Sequence, residues 1–226
     1  MDKKKQVNRI FDSIAHRYDF LNHLLSAGID IVWRKRTLKM SGINSGSSLL
    51  DLACGTGDFA IEAKKLGVEN IIGADLSINM LKIFKQKSVW SNGKIVQCVA
   101  ENLPFKSGSF THITVAFGVR NFYDILEGFK NFHRILDNSG KAIVLEFRLP
   151  KNKFIKNLYL LYFNKILPAI GRIISNDKEA YTYLPESVSE FEANIDLNKL
   201  FTAAGFSKVS VKSLTFGIAQ VTIAEK

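Results

Sequence analysis

From residue 48 onward the chain alternates short apolar runs with helix-length amphipathic segments, and few folds accommodate that alternation. Strands are expected at 48–53, 71–75, 95–99, 111–116 and 142–147, with helices over 58–66, 78–88 and 124–136 between them. Ser77 and Asp124 stand just ahead of apolar-periodic stretches, where a side-chain oxygen can cap a first helical turn. Residues 148–186 break the alternation, and a helix near 190–204 follows, closed by Gly205 in a left-handed cap position. The chain ends in two strand-like runs, 208–214 and 216–223, joined near Thr215 to Gly217. So short a link demands an antiparallel pair. Ahead of all this, Val7, Ile10, Phe11, Ile14 and Tyr18 fall at three-to-four spacing, and Leu21, Leu24 and Leu25 form a second apolar group, so the first forty residues read as helical. The expected architecture is α/β. It is a doubly wound sheet, mostly parallel, with an antiparallel C-terminal hairpin, a helical N-terminal extension and a helical insertion before the last helix.

The sharpest local signal is Leu49-Leu50-Asp51-Leu52-Ala53-Cys54-Gly55-Thr56-Gly57-Asp58, an apolar strand running into small residues and then a helix. Glycine lets the backbone turn tightly and lets a ligand approach the main chain. Gly55-x-Gly57-x-x-Ala60 also satisfies the dinucleotide fingerprint, with Asp75 placed to bind a ribose, so the loop alone does not separate NAD from S-adenosylmethionine. Three features favour the sulfonium cofactor. Asp51 ends the first strand, where a carboxylate can fix the loop and approach a cationic amino-acid group but would oppose a pyrophosphate. Asp75 ends the second strand, where it can grip both ribose hydroxyls. Ala100-Glu101-Asn102-Leu103-Pro104-Phe105, followed by a polar turn and the fourth strand, has the shape found beside adenine in class I methyltransferases (Rossmann-like). The antiparallel ending is also theirs, whereas dehydrogenase folds carry on with parallel crossovers.

Two further segments carry a narrower resemblance. Tyr18-Asp19-Phe20-Leu21-Asn22-His23-Leu24-Leu25-Ser26, with Gly28, Asp30 and Trp33, is similar to the N-terminal signature of the ubiquinone/menaquinone biosynthesis C-methyltransferases. Phe117-Gly118-Val119-Arg120-Asn121 resembles that family's FGxRN motif, and Leu145-Glu146-Phe147, Asn176-Asp177, Tyr181, Tyr183, Leu184, Glu186 and Ser187 are similar to it too. The resemblance runs in order from about residue 8 to 223. It implies cofactor contacts at Thr56, Asp75 and the Val99-Ala100 pair, with the Gly55 and Gly57 backbone around them, and Asp51 is expected to join them at the cofactor's amino-acid end. Its substrate-side motif falls on Arg120 and Asn121. The chain departs from the family at Asp137-Asn138-Ser139-Gly140, where Lys-Pro-Gly-Gly is usual and Asn-Ser-Gly can still turn. Val99 stands where a polar residue is common, and Arg148 replaces a small residue.

The resemblance implies methylation of a ring carbon of a polyprenyl quinol, demethylmenaquinol before a benzoquinol precursor of ubiquinone. A ring carbon is a weak nucleophile until an adjacent phenolic oxygen loses its proton. A fixed cation favours that anion, and Arg120 is expected to supply it, by stabilising the phenolate or polarising a water, while Asn121 orients the hydroxyl. Ile155, Leu158, Tyr159, Tyr162, Ile166, Ile170 and Ile173 form an apolar stripe, with Lys156, Lys165 and Arg172 among them, expected to serve as a lid over a lipid tail. The expected organisation is one domain over 1–226, divided into a cap (1–45), a cofactor-binding core (46–147), a substrate insertion (148–188) and a C-terminal helix and hairpin (189–226).

Composition enters through charge. A net charge of +10 is concentrated in Lys3, Lys4, Lys5, Arg9, Arg17, Arg34, Lys35, Arg36 and Lys39, and again in Arg148, Lys151, Lys153, Lys156, Lys165 and Arg172. It suits an acidic partner: anionic lipid, nucleic acid, or simply water. No signal-type apolar region follows the basic N-terminus, and no apolar run approaches the roughly 20 residues of a membrane span. The expectation is a cytoplasmic protein, with peripheral contact at the inner membrane's cytoplasmic face as a further option. A nucleic-acid methyltransferase is disfavoured, because Phe117-Gly118-Val119-Arg120 stands where amino-directed enzymes place Asn-Pro-Pro-Tyr. A cofactor-binding regulatory module is disfavoured by the intact Asp51, Gly55, Gly57 and Asp75. No metal is expected, since His16, His23, His112 and His133 share no ligand spacing and Cys54 and Cys98 form no zinc or disulfide framework.

Overall fold

A computed structural model describes residues 5, 7–13, 15, 16, 19, 26, 28–166 and 178–226. The signature positions Tyr18 and Phe20 to Leu25, the pair Asn176-Asp177, and the stripe positions Ile170, Arg172 and Ile173 lie outside the described residues. Residues 7–13 are helical, and α1 follows at Ile29–Ser41. The alternating part then runs β1 (Ser48–Leu52), α2 (Asp58–Lys65), β2 (Asn70–Asp75), α3 (Ile78–Lys87), β3 (Ile95–Gln97), β4 (Phe110–Ala116), α4 (Ile125–Ile135) and β5 (Leu136–Phe147). The remainder is α5 (Lys153–Leu161), α6 (Lys178–Asn194), α7 (Leu197–Ala203), β6 (Lys208–Leu214) and β7 (Ala219–Glu225).

These strands form one seven-stranded sheet in the order β3-β2-β1-β4-β5-β7-β6. Strands β1 to β5 are parallel, and β7 runs antiparallel to both β5 and β6. The order reverses between β1 and β4, so a crevice opens at their carboxyl ends. Strand β1 is buried on both faces because its leucines alternate. Leu50 and Leu52 point into a core with Phe129, Phe132 and Phe201, while Leu49 points into a second with Leu38, Phe59 and Phe84. The rings of Phe129 and Phe201 stack at 3.8 Å and tie α4 to α7.

Local chemistry accounts for most boundaries. Ser77 accepts from the Met80 N–H (3.1 Å) and Asp124 from the Glu127 N–H (2.9 Å), both as expected. The single helix expected at 190–204 is instead two, because Asp196 accepts the Asn198 (3.0 Å) and Lys199 (3.3 Å) N–H groups and starts a new helix. Gly205 does take the left-handed conformation after it (φ 99°). The turn expected at Asp137 to Gly140 is absorbed into β5 as an irregularity, since pairing jumps from Phe110↔Leu136 to His112↔Lys141. The last strand begins at Ala219 rather than 216, because Thr215, Phe216 and Gly217 all take positive φ and cannot join a ladder. Arg148, unexplained by sequence, bonds Glu192 on α6 (3.0 Å) and Gln220 on β7, clamping the end of β5 to both.

Phe84 is wedged between α2 and β2. A Cβ on Gly73 would lie 2.5 Å from its Cε1, and one on Gly57 2.1 Å from its Cδ2. Gly73→Ala should therefore cost about 1–3 kcal/mol in chemical denaturation, the scale of overpacking. In a Phe84→Leu background the same substitution should cost measurably less, because the two side chains compete for one space.

Candidate active site

Asp51 ends β1 with its side chain buried. Its Oδ1 accepts from Thr114 Oγ1 on β4 (2.9 Å) and its Oδ2 from the Ala60 N–H in the first turn of α2 (3.1 Å). One carboxylate thus holds two strands and the helix that follows the glycine loop. Burial raises its proton affinity more than these bonds and the nearby Arg34 guanidinium lower it, and the carboxyl is pushed up to about 7. Arg34, on α1, is itself buried; it pairs with Asp30 and lies 3.9 Å from Asp58.

In front of this loop lies a cleft of about 720 Å³, partly open to solvent. Asp75 stands in it, with Oδ2 accepting the Gly55 N–H and Oδ1 the Ser77 N–H, both at 2.8 Å. Burial pushes the Asp75 carboxyl up, and the Asp12 carboxylate nearby adds to the shift. Glu101 also lines the cleft, accepting from the Tyr123 (3.0 Å) and Asp124 (3.1 Å) N–H groups. Leu76, Met80, Val99 and Phe122 supply apolar walls, and among the described residues no Lys, Arg or His lines this cleft. The donor set therefore fits a cationic ligand with a sugar diol and an apolar-faced base. It does not suit a pyrophosphate, whose charges would meet Asp75 and Glu101 with no basic partner among the described residues.

The crevice is built from backbone seldom used by ordinary residues. Ala53 (φ 50°) ends the β1 turn and Phe117 (φ 58°) the β4 turn, and both line the cleft. Gly118 is needed between them, because a Cβ there would come within 2.6 Å of the Ala53 Cβ. Cys98 also faces the cleft. Burial and Asp75 push its thiol up to about 11, so it stays protonated at neutral pH.

Of the residues expected at the site, Gly55, Asp75, Val99, Ala100 and Asn121 share this cleft. Asp51 stands behind it. The Thr56 hydroxyl is turned to Asp19 and to Lys87 Nζ (3.2 Å), and Gly57 backs onto Phe84. Arg120 is also buried next to the cleft rather than lining it. Its Nη1 donates to Glu146 Oε1 (2.8 Å) and to the Phe117 carbonyl, and its Nε donates to Ser187 Oγ (3.2 Å). Asn121 Oδ1 accepts from the Tyr183 hydroxyl (2.7 Å).

Sequence reasoning missed several participants. Val7 and Phe11 close one side of the cleft, and Asp12 accepts from Ser77 Oγ. Lys87 bridges Asp19 (2.7 Å) and Asp58, so the N-terminal segment is latched across the glycine loop. Periodicity showed that Val7 and Phe11 are buried but not against what. The lid stripe also divides differently. Tyr159 and Phe163 point inward, whereas Phe154, Leu158 and Leu161, at i, i+4 and i+7, are exposed.

This fold, with an acidic cleft at the switch point and an antiparallel ending, defines the class I S-adenosylmethionine-dependent methyltransferases. An S-adenosylmethionine-dependent methyltransferase from Thermotoga maritima, described as a possible histamine N-methyltransferase, superposes with a TM-score of 0.66 at 20% identity, covering 96% of this chain and 99% of that one. At that identity the likeness concerns the fold. The chain belongs to the ubiE/COQ5 methyltransferase family, whose pattern it matches over residues 1–226. It is 42% identical to the ubiquinone/menaquinone biosynthesis C-methyltransferase UbiE of Geotalea uraniireducens, over 100% of this chain and 98% of the relative. It is 38% identical to a demethylmenaquinone methyltransferase of Staphylococcus aureus, over 99% of this chain and 94% of that one. The protein is a methyltransferase, and S-adenosylmethionine is its methyl donor.

Because the folded state holds a proton on Asp51 that the unfolded chain has already lost, the wild type should lose stability as pH rises from about 4 to 7. Asp51→Asn should lack that component. Thermal unfolding of both proteins across this range checks it, and parallel curves would assign the pH dependence elsewhere.

Proposed function

We propose that this enzyme transfers the donor methyl to a ring carbon of a polyprenyl quinol. Demethylmenaquinol is the first candidate and a benzoquinol precursor of ubiquinone the second. The reading draws on the named activities of the two relatives. The observation that carries it is the buried Arg120, one residue from Asn121 in the cleft wall. A fixed guanidinium in a low-dielectric setting lowers the cost of ionising a phenol, which a ring carbon needs before it can attack.

In this reading Asp75 takes the cofactor's ribose hydroxyls. Val99 and Ala100 flank its adenine, and the Gly55–Thr56–Gly57 backbone receives its amino-acid end while Asp51 keeps that loop in place. The donor supplies a methyl already attached to a positively charged sulfur, so the protein's task is to align the ring carbon with it and exclude water. Asn121, oriented by Tyr183, positions the quinol hydroxyl. Residues 1–226 act as one domain, with 1–45 as cap, 46–147 as cofactor core, 148–188 as substrate insertion and 189–226 completing the sheet.

The membrane is the proposed source of the substrate. No helix among the described residues is long and apolar enough to cross one. The exposed face of Phe154, Leu158 and Leu161 on α5 is flanked by exposed Lys151, Lys153 and Lys165, a combination that suits the surface of an anionic bilayer. The protein would then be cytoplasmic with a peripheral hold on the inner membrane.

Incubation with labelled donor and chemically reduced naphthoquinones and benzoquinones, followed by mass spectrometry, should show a single added methyl on the ring. No product from any reduced quinone would refute the reading. Arg120→Leu should lower turnover by about a hundredfold or more, with donor affinity by calorimetry nearly unchanged, and near-normal turnover removes Arg120 from the chemistry. In flotation with anionic liposomes, Phe154→Glu together with Leu158→Glu should abolish binding. Indifference to lipid charge, to salt and to these changes rules out the membrane contact.

A further inference from the structure

We infer that Glu146 accepts the proton of the quinol hydroxyl and that the resulting phenolate takes over its place opposite Arg120. This rests on the quinol reading above and names the proton acceptor which that reading leaves open.

Glu146 lies one residue from the end of β5 with its side chain 2% exposed. Its Oε1 accepts from Arg120 Nη1 (2.8 Å) and from the Phe147 N–H (3.0 Å). Its Oε2 is buried and has no hydrogen-bond partner among the described residues. A buried carboxylate oxygen without a donor is rare in folded proteins and calls for an explanation. The Tyr159 hydroxyl, brought in by α5, is a second buried polar group without a partner among the described residues, and the charges of both Arg120 and Glu146 reach it. Tyr159, Tyr183 and Phe147 belong to one apolar cluster, and the Tyr183 hydroxyl reaches Asn121 in the cleft wall. Two buried polar atoms thus lie within reach of the Arg120 charge, and Arg120 is the chain neighbour of Asn121 in the cleft wall. A quinol hydroxyl, which both donates and accepts, satisfies both.

Charge bookkeeping favours the exchange. Arg120 is a fixed cation that does not release its own proton, and Glu146 is its anion. When the hydroxyl proton moves to Oε2, the electron pair stays on the ring oxygen, and Arg120 still faces one anion. Up to methyl transfer the buried site therefore carries no uncompensated charge, and the pair is restored when the ring proton leaves and Glu146 gives up its own. The phenolate oxygen then pushes electron density to the ring carbon, which bonds the methyl. The carbon–sulfur bond breaks with its electron pair going to sulfur, leaving a neutral thioether. The methylated ring carbon gives its hydrogen as a proton to water, and Glu146 returns its own proton to the ring oxygen, restoring the quinol. One methyl is gained and one proton leaves.

The surroundings make this carboxylate more basic than a surface one. Burial pushes the Glu146 carboxyl up, and Arg120 with the Phe147 N–H only partly offset it. The groups that reach it are Arg120 after β4, Tyr159 on α5 and Tyr183 on α6. Its partner across the ladder on β7 is the neutral Gln220. Burial raises both tyrosines, so they remain protonated while Glu146 titrates.

The experiment compares wild type, Glu146→Gln and Glu146→Asp on reduced demethylmenaquinone and on a ring-halogenated analogue with a more acidic hydroxyl. Glu146→Gln should lower kcat by about a hundredfold or more, with unchanged donor affinity and unfolding temperature, and should lose the acid limb of the wild-type pH profile. Glu146→Asp keeps the charge opposite Arg120 but withdraws the oxygen. It should fold as wild type and lose about tenfold, so the test survives if the glutamine variant does not fold. In both variants the acidic analogue should recover most of the loss, which a merely structural carboxylate would not allow. Equal deficits on both acceptors, or an acid limb that persists in Glu146→Gln, overturn the assignment. If the wild type turns over and the variants match it, only this inference fails; if the wild type methylates no quinol, the reading beneath it fails as well.

Discussion

A single buried carboxylate, Asp51, organises the functional end of this molecule. By accepting from Thr114 on β4 and from the Ala60 N–H of α2, it locks the junction at which the sheet reverses direction. Within the glycine loop the Thr56 hydroxyl turns outward to Asp19 and Lys87. The loop's shape depends on this anchor, on the Asp75 carboxylate that accepts the Gly55 N–H, and on the packing of Gly57 against Phe84. The anchor is costly, since burial drives Asp51 toward its protonated form. Such a cost at a ligand loop is the usual exchange of stability for a fixed geometry.

The electrostatic plan follows from that arrangement. The cleft is acidic, with Asp75 and Glu101 in its wall, while the buried cations Arg34 and Arg120 stand behind or beside it, each held by carboxylates. In the proposed reading a cationic donor would meet negative charge and an ionising acceptor positive charge. Of the described basic residues, Lys151, Lys153 and Lys165 lie exposed beside the exposed apolar face of α5.

Much of the site was legible because it lies close to one strand-loop-helix segment. Asp51, Gly55, Asp75, Val99 and Ala100 are tied to strand ends, and hydrophobic alternation locates strand ends well. Glu146 illustrates the opposite case. Its place in an apolar run marks it as a buried charge, but its pairing with Arg120 spans 26 positions and its neighbour Tyr159 comes from the insertion. Arg148 is similar, since its role lies in two partners 44 and 72 positions away. Thr56 shows that position in a loop does not set side-chain direction, as its hydroxyl turns to Asp19 and Lys87.

The chain's periodicity and turn chemistry determined the order and type of its elements. Alternation of apolar residues, capping side chains and glycines at positive φ are local properties, readable within a few positions. Tertiary structure alone decided which carboxylate stands beside which guanidinium, that Asp196 splits the last long helix, and that Val7 and Phe11 close the cleft. It also decided which apolar residues of α5 face inward. Those outcomes depend on contacts between segments far apart in sequence, and local pattern carries no information about partners that only packing brings together.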